Sequence, residues 1–177
     1  VESGAFGKEA YILTGYFNFP KVFEITLHNG LDPRTGKKIG LETGDPTTFR
    51  TFDELFEAFH KQIRHFVDIK IRGSNVIERL YATYLPAPFL SVLVDDCIKN
   101  GRDYHAGGAR YNTNYIQGVG TGTITDILSA IRYNVYDHGH FTMQELLTAL
   151  DKNFAGFESL RQRVLNRTPK FGNDDDY

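Results

Sequence analysis

Tryptophan is missing from this 177-residue chain, and cysteine and methionine occur once each, as Cys97 and Met143. One thiol cannot close an internal disulfide, so no covalent framework is expected, and the usage fits a reducing, cytoplasmic setting. No apolar run approaches the roughly 20 residues that a membrane-spanning helix needs. The front of the chain carries no charged segment followed by an apolar one, so no secretory leader is read there. Neither sign of charge dominates. Twenty Lys and Arg are interleaved with 22 Asp and Glu, for a net charge of −2. That balance lacks the basic footprint of a nucleic-acid binder and the polybasic patch of a membrane-surface protein. An initiator Met is absent too: the chain opens on Val1 and Glu2. We therefore expect a processed product or a piece of a longer protein.

What is present is aromatic and helix-forming. Fourteen Phe and ten Tyr can bury much area. A hydrophobic fraction of 41% with 24% charged residues is that of a globular domain. The length suits about one such domain. Residues 1–17 read as loop, because Gly4, Gly7 and Gly15 interrupt any regular period. Pro20 suits the first turn of a helix that leaves at Gly30, with Phe19, Val22, Phe23 and Leu27 as its apolar stripe. Residues 31–50 hold Gly and Pro at turn spacing.

The strongest periodic segment is TFDELFEAFHKQIRHFVDIKIRGSNVIERLYATYL. Thr51 and Glu54 have capping-box spacing. Phe52, Leu55, Phe56, Phe59, Ile63, Phe66, Val67 and Ile71 fall on one helical face. Gly73 is a candidate interruption, and Pro86 and Pro88 end the element. FLSVLVDDCIKNG reads as a shorter apolar helix, and AGGARYNTNYIQGVG as a strand or extended loop. GTITDILSAIRYNVYD, TMQELLTALDKNF and FESLRQRVLN read as helices. Many helices with few strands fit either an all-helical domain or the helix-rich part of a larger α/β body. The abrupt start favours the latter.

The candidate chemical residues are few. From position alone, Glu2 is a solvated terminal carboxylate, since Glu is seldom buried. GVGTGT at 118–123 precedes a helix, but its third glycine comes one residue early for a dinucleotide fingerprint. No second strand with an acid for the ribose follows. A close-packed turn is the better reading. His138 and His140 lack a third ligand for a metal. Cys97 sits in an apolar run and reads as a small buried hydrophobe. Asp95 and Asp96 read as a helix end facing solvent, and the terminal DDDY as a solvated acid run.

Three long stretches occur in order: GKEAYILTGYFNFPKVFEITLHNGLDPRTGKKIG, PAPFLSVLVDDCIKNGRDYHAGGARYNTNYIQGVG and NFAGFESLRQRVLNRTPKFGNDDDY. Together they resemble the glycyl radical enzymes, the pyruvate formate-lyase-like family, across essentially the whole chain. In that family a Gly-Cys-Val-Glu tetrad carries the cysteine that becomes a thiyl radical. Val1 and Glu2 match its last two letters, so the catalytic Cys is expected just before Val1 and the radical glycine beyond Tyr177. Glu2 then resembles the family's proton-moving carboxylate. Diol dehydratases and choline lyase have a Trp-His-Asp stretch near where this chain reads AYILTGY. The missing acid puts glycerol, propanediol and choline in doubt. With the Cys restored, the opening is similar to the branch that dehydrates trans-4-hydroxy-L-proline, in which the Tyr of T-G-Y, here Tyr16, lines the substrate pocket.

The resemblance implies an α/β fold: residues 1–177 as a partial, helix-rich portion of a ten-stranded α/β barrel. It implies a carbon–oxygen lyase when full length, inactive as this piece alone. It implies no bound cofactor or metal, but a glycyl radical outside these residues, installed by a partner activase that uses S-adenosylmethionine and an iron–sulfur cluster. A small-molecule substrate, a homodimer when full length, and an anaerobic, cytoplasmic setting with no nucleic-acid or membrane partner complete the expectation. Another glycyl radical eliminase or a formate acetyltransferase-like enzyme is the alternative within the family. A non-catalytic helical binding module is the alternative from a different class.

Overall fold

The computed structural model describes residues 7–174. Val1 and Glu2 therefore lie outside the described residues, as do the last three residues of the DDDY run. The chain is mixed α/β and rich in helix. It divides into two compact units. One holds the described residues up to Phe17 with Val67–Gly118; the other holds Asn18–Phe66 with the described residues from Val119 onward.

The first unit is built on a pair of strands, β1 (Glu9–Asn18) and β4 (Tyr111–Val119). The Tyr111 amide donates to the Lys8 carbonyl. Thr113 donates to the Glu9 carboxylate, and the Tyr11 ring lies 4.8 Å from that of Tyr115. These contacts advance along both strands in one direction, which is a parallel pairing. Parallel strands need a long crossover, and this one contains a 33-residue helix. β1 corrects the expectation of a loop up to residue 17. Ala10, Ile12 and Thr14 are buried in strand alternation. Beneath them a small core joins Ala10, Cys97 and Ala109, with Val94 and Tyr104 packed against it. The Tyr104 hydroxyl accepts from the Tyr11 amide and donates to the Tyr11 carbonyl, pairing backbone groups that a strand edge would otherwise leave open.

The apolar segment after Pro86 forms two short helices rather than one: α3 (Pro88–Ser91) and α4 (Cys97–Asn100). Asp96 separates them with φ +73°, a conformation that cannot continue a helix. Asp103 ties this region together. It accepts from the Ala87 amide, the Ser91 hydroxyl and the His105 amide.

The second unit holds α1 (Phe19–Leu27), a two-residue hairpin of β2 (Leu31–Asp32) and β3 (Lys37–Lys38), the start of α2 (Phe52–Tyr84), and then α5 (Thr121–Ile131), α6 (Met143–Asp151) and α7 (Glu158–Asn166). Asn18 caps α1 by accepting from the Lys21 amide, with Pro20 in the first turn as expected. The Thr51–Glu54 box forms: the Glu54 amide donates to Thr51, and Thr51 donates back to the Glu54 carboxylate. Thr142 and Glu145 repeat it on α6. Phe23 meets Phe59 edge-on at 5.1 Å, with Leu55 fully buried beside them on α2. Gln62, also fully buried, accepts from the Leu41 amide and donates to the Leu41 carbonyl. α2 runs through Gly73 unbroken, and a Cβ at that position would meet open space. α5 continues into a π-helical stretch, Arg132–Asp137, which the apolar period does not signal.

Candidate functional site: the Thr14–Tyr16 corner of the first strand

Tyr16 stands on β1 with 64% of its surface exposed. It reaches that position through a change of phase in the strand. Up to Thr14 the even-numbered residues face inward. After Gly15 the order inverts, so that Phe17 is buried while Tyr16 and Asn18 face out. In a regular strand residues three apart point to opposite faces. Here Leu13 and Tyr16 are both exposed. Gly15 permits the inversion. Its φ of +141° lies where side chains are disfavoured.

Thr14 is the anchor of this corner. Its hydroxyl lies 2.8 Å from that of Ser74 and 3.1 Å from the Tyr115 carbonyl. A carbonyl only accepts, so the Thr14 proton goes to Tyr115 and Ser74 donates to Thr14. The Lys70 ammonium donates to the Thr14 carbonyl at 2.5 Å. Lys70 and Ser74 are four residues apart and share one face of α2. A single helix face thus holds both the side chain and the carbonyl of Thr14. Sequence reading missed this clamp, because its members lie 56 and 60 positions from Thr14.

The other candidates resolve without convergence. Cys97 is 1% exposed, and burial, followed by the charges of Asp103 and Asp96, pushes its thiol up. A thiol so placed stays protonated and packs as a hydrophobe. Asp96 does not simply face water: Arg110 pairs with it at 2.9 Å and holds its carboxyl below the usual range. Gly120 begins α5 with φ +81°, and a Cβ there would come within 2.6 Å of the Pro20 ring. Gly120 therefore makes the close-packed turn read at GVGTGT. The rings of His138 and His140 stack with centroids 5.5 Å apart at 15°, and His138 also lies 4.1 Å from the ring of Tyr133. Parallel stacked rings do not converge on one ion. Among the described residues, no group of three or more His, Cys, Asp or Glu side chains could hold a metal. None of the helices searched among those residues is long and apolar enough to cross a membrane.

The pyruvate formate lyase-like family model matches residues 1–177. The chain is 60% identical over 177 residues to trans-4-hydroxy-L-proline dehydratase of Clostridioides difficile, covering all of this chain and 22% of that protein. The crystal structure of the hydroxyproline dehydratase from that organism, with trans-4-hydroxy-L-proline bound, superposes with a TM-score of 0.94 and the same identity and coverage. A glycerol-bound glycerol dehydratase from Clostridium butyricum superposes with a TM-score of 0.85 at 36% identity, covering 96% of this chain and 21% of that one. The chain thus spans about a fifth of the length of the relatives it matches. A family match along the whole chain settles the lineage: alongside a structural neighbour that is a glycyl radical enzyme from Archaeoglobus fulgidus, the chain belongs to the pyruvate formate lyase-like family.

Proposed function

We propose that this chain is part of a glycyl radical dehydratase that removes water from trans-4-hydroxy-L-proline. The single observation that carries this reading is the 60% identity along the whole chain to a dehydratase of that name, with a TM-score of 0.94 to its substrate-bound structure. The glycerol-bound neighbour, at 36% identity, is more distant.

In the full-length protein a thiyl radical on the Cys before Val1 supplies hydrogen-atom abstraction from the carbon beside the ring nitrogen. The work of this chain is binding, positioning and proton movement. Tyr16 offers an apolar ring face to a pyrrolidine-sized ligand and a phenol tip to its polar groups. Leu13, exposed beside it on the same strand, adds apolar wall. Glu2 follows the radical-bearing residue by two positions and moves the proton that lets the hydroxyl leave as water. The product is a pyrroline carboxylate. An activase using S-adenosylmethionine and an iron–sulfur cluster generates the glycyl radical, and the full-length protein works as a cytoplasmic homodimer.

The test is an assay of activated, full-length protein against trans-4-hydroxy-L-proline, glycerol and choline. Water loss from hydroxyproline alone is the expected result; turnover of glycerol or choline in its place overturns the reading. Glu2→Gln should lower turnover by about two orders of magnitude or more while leaving the glycyl electron-spin signal intact. Loss of that signal would assign Glu2 a structural role.

A further inference from the structure

The phase inversion at Gly15 raises a question of cause. Glycine permits φ +141° but does not impose it, because glycine visits many other conformations at similar cost. Something must select this one. From α2, the Lys70 ammonium acts on the peptide next to Gly15, donating to the Thr14 carbonyl at 2.5 Å. The same ammonium fills the space that a side chain at position 15 would occupy, since a Cβ there would lie 2.6 Å from Nζ. Ser74, one helical turn along α2, fixes the Thr14 side chain from the same face. Thr14 itself is buried and Lys70 is half-buried, so the bond between them is partly sheltered. A charge-assisted bond of this kind is about twice as strong as a neutral one.

We propose that Lys70 is a positioning residue: by holding the Thr14 carbonyl it selects the Gly15 conformation that turns Tyr16 onto the exposed face shared with Leu13. Without the ammonium, β1 can recover ordinary alternation through residue 16, which would carry the Tyr16 ring to the buried side and bring Phe17 out. Lys70 touches no substrate in this scheme and acts only through the backbone. The proposal deepens the reading of Tyr16 as a pocket residue and rests on it for its kinetic consequence, though not for its structural one.

The experiment uses full-length protein with 3-fluorotyrosine placed at position 16, comparing wild type, Lys70→Met and Lys70→Arg by fluorine NMR. Methionine keeps the unbranched stem and removes the charge; arginine keeps a cationic donor. The resonance should move in Lys70→Met and return toward wild type in Lys70→Arg. In kinetics on hydroxyproline, Lys70→Met should raise KM about tenfold with kcat changed far less, the pattern of lost ground-state binding. In a Tyr16→Ala background the same change should add nothing further to KM.

Should Lys70→Met fail to fold, Gly15→Ala takes its place, since it crowds the ammonium from the strand side and disfavours φ +141°. An unmoved resonance in the variant that folds overturns the proposal, whatever the substrate proves to be. A KM penalty that persists in full in the Tyr16→Ala background also overturns it. A moved resonance in a protein that leaves hydroxyproline untouched upholds the positioning role and overturns the substrate alone.

Discussion

The two ends of α2 are one continuous helix with two kinds of surface. Its first half buries Leu55, Ala58, Phe59 and Gln62, and its apolar face meets Phe23 from α1. Its second half buries Ser74, while Ile69, Ile71, Val76, Leu80 and Tyr84 are exposed. The same contrast separates the units that contain these halves. In the first unit Phe89 is 86% exposed and Leu93 75% exposed. Apolar surface gathered in this way marks a face that meets other matter. The chain spans 22% of the length of a 60%-identical relative. The first half of α2 finds its apolar partners within these 177 residues, and the second half presents its own. The strand carrying Tyr16 belongs to the unit that presents them.

That contrast can be broken by mutation in the isolated chain. Phe59→Ala should cost about 3–5 kcal/mol, the usual penalty for emptying an aromatic site in a packed core, read by chemical denaturation. Gln62→Ala should cost about 1–3 kcal/mol, because it removes two hydrogen bonds to the Leu41 backbone and empties a fully buried side-chain site.

A smaller effect should appear with pH. The Lys21 hydrogen bond, followed by that of the Thr35 hydroxyl, holds the Asp32 carboxyl down at about 2 from 3.8. A carboxyl depressed on folding stabilises above the unfolded value and loses that contribution as pH falls through the folded one. Stability should therefore decline between about pH 4 and pH 2, and Asp32→Asn should flatten part of that slope in acid titrations. The smallest change belongs to the presenting unit: Leu93→Ser should alter stability by about 0.5 kcal/mol or less. A loss there as large as that of Phe59→Ala would erase the distinction between the units.

Much of the packed unit was legible in the sequence. Its helix starts are set by local chemistry, and Thr51–Glu54 and Pro20 mark them within a few residues of chain. Less of the first unit was legible. β1 read as loop because three glycines outweighed the alternation of Ala10, Ile12 and Thr14. That alternation then reverses at Gly15, so no single period describes the strand. The fate of Asp96 depended on Arg110, 14 residues away, and the Thr14 clamp on residues far more distant. Local signals report caps and turns; contacts made across a fold leave no period to read. For the candidate site, Tyr16 was reached by resemblance, and its ring is exposed on β1. Glu2 was reached in the same way and lies outside the described residues.

The most direct measurement is a crystal structure of the full-length protein with trans-4-hydroxy-L-proline bound. The account predicts the Tyr16 ring in van der Waals contact with the ligand, with Gly15 at positive φ and Lys70 on the Thr14 carbonyl. A ligand bound elsewhere, with Tyr16 packed away from it, would contradict the account.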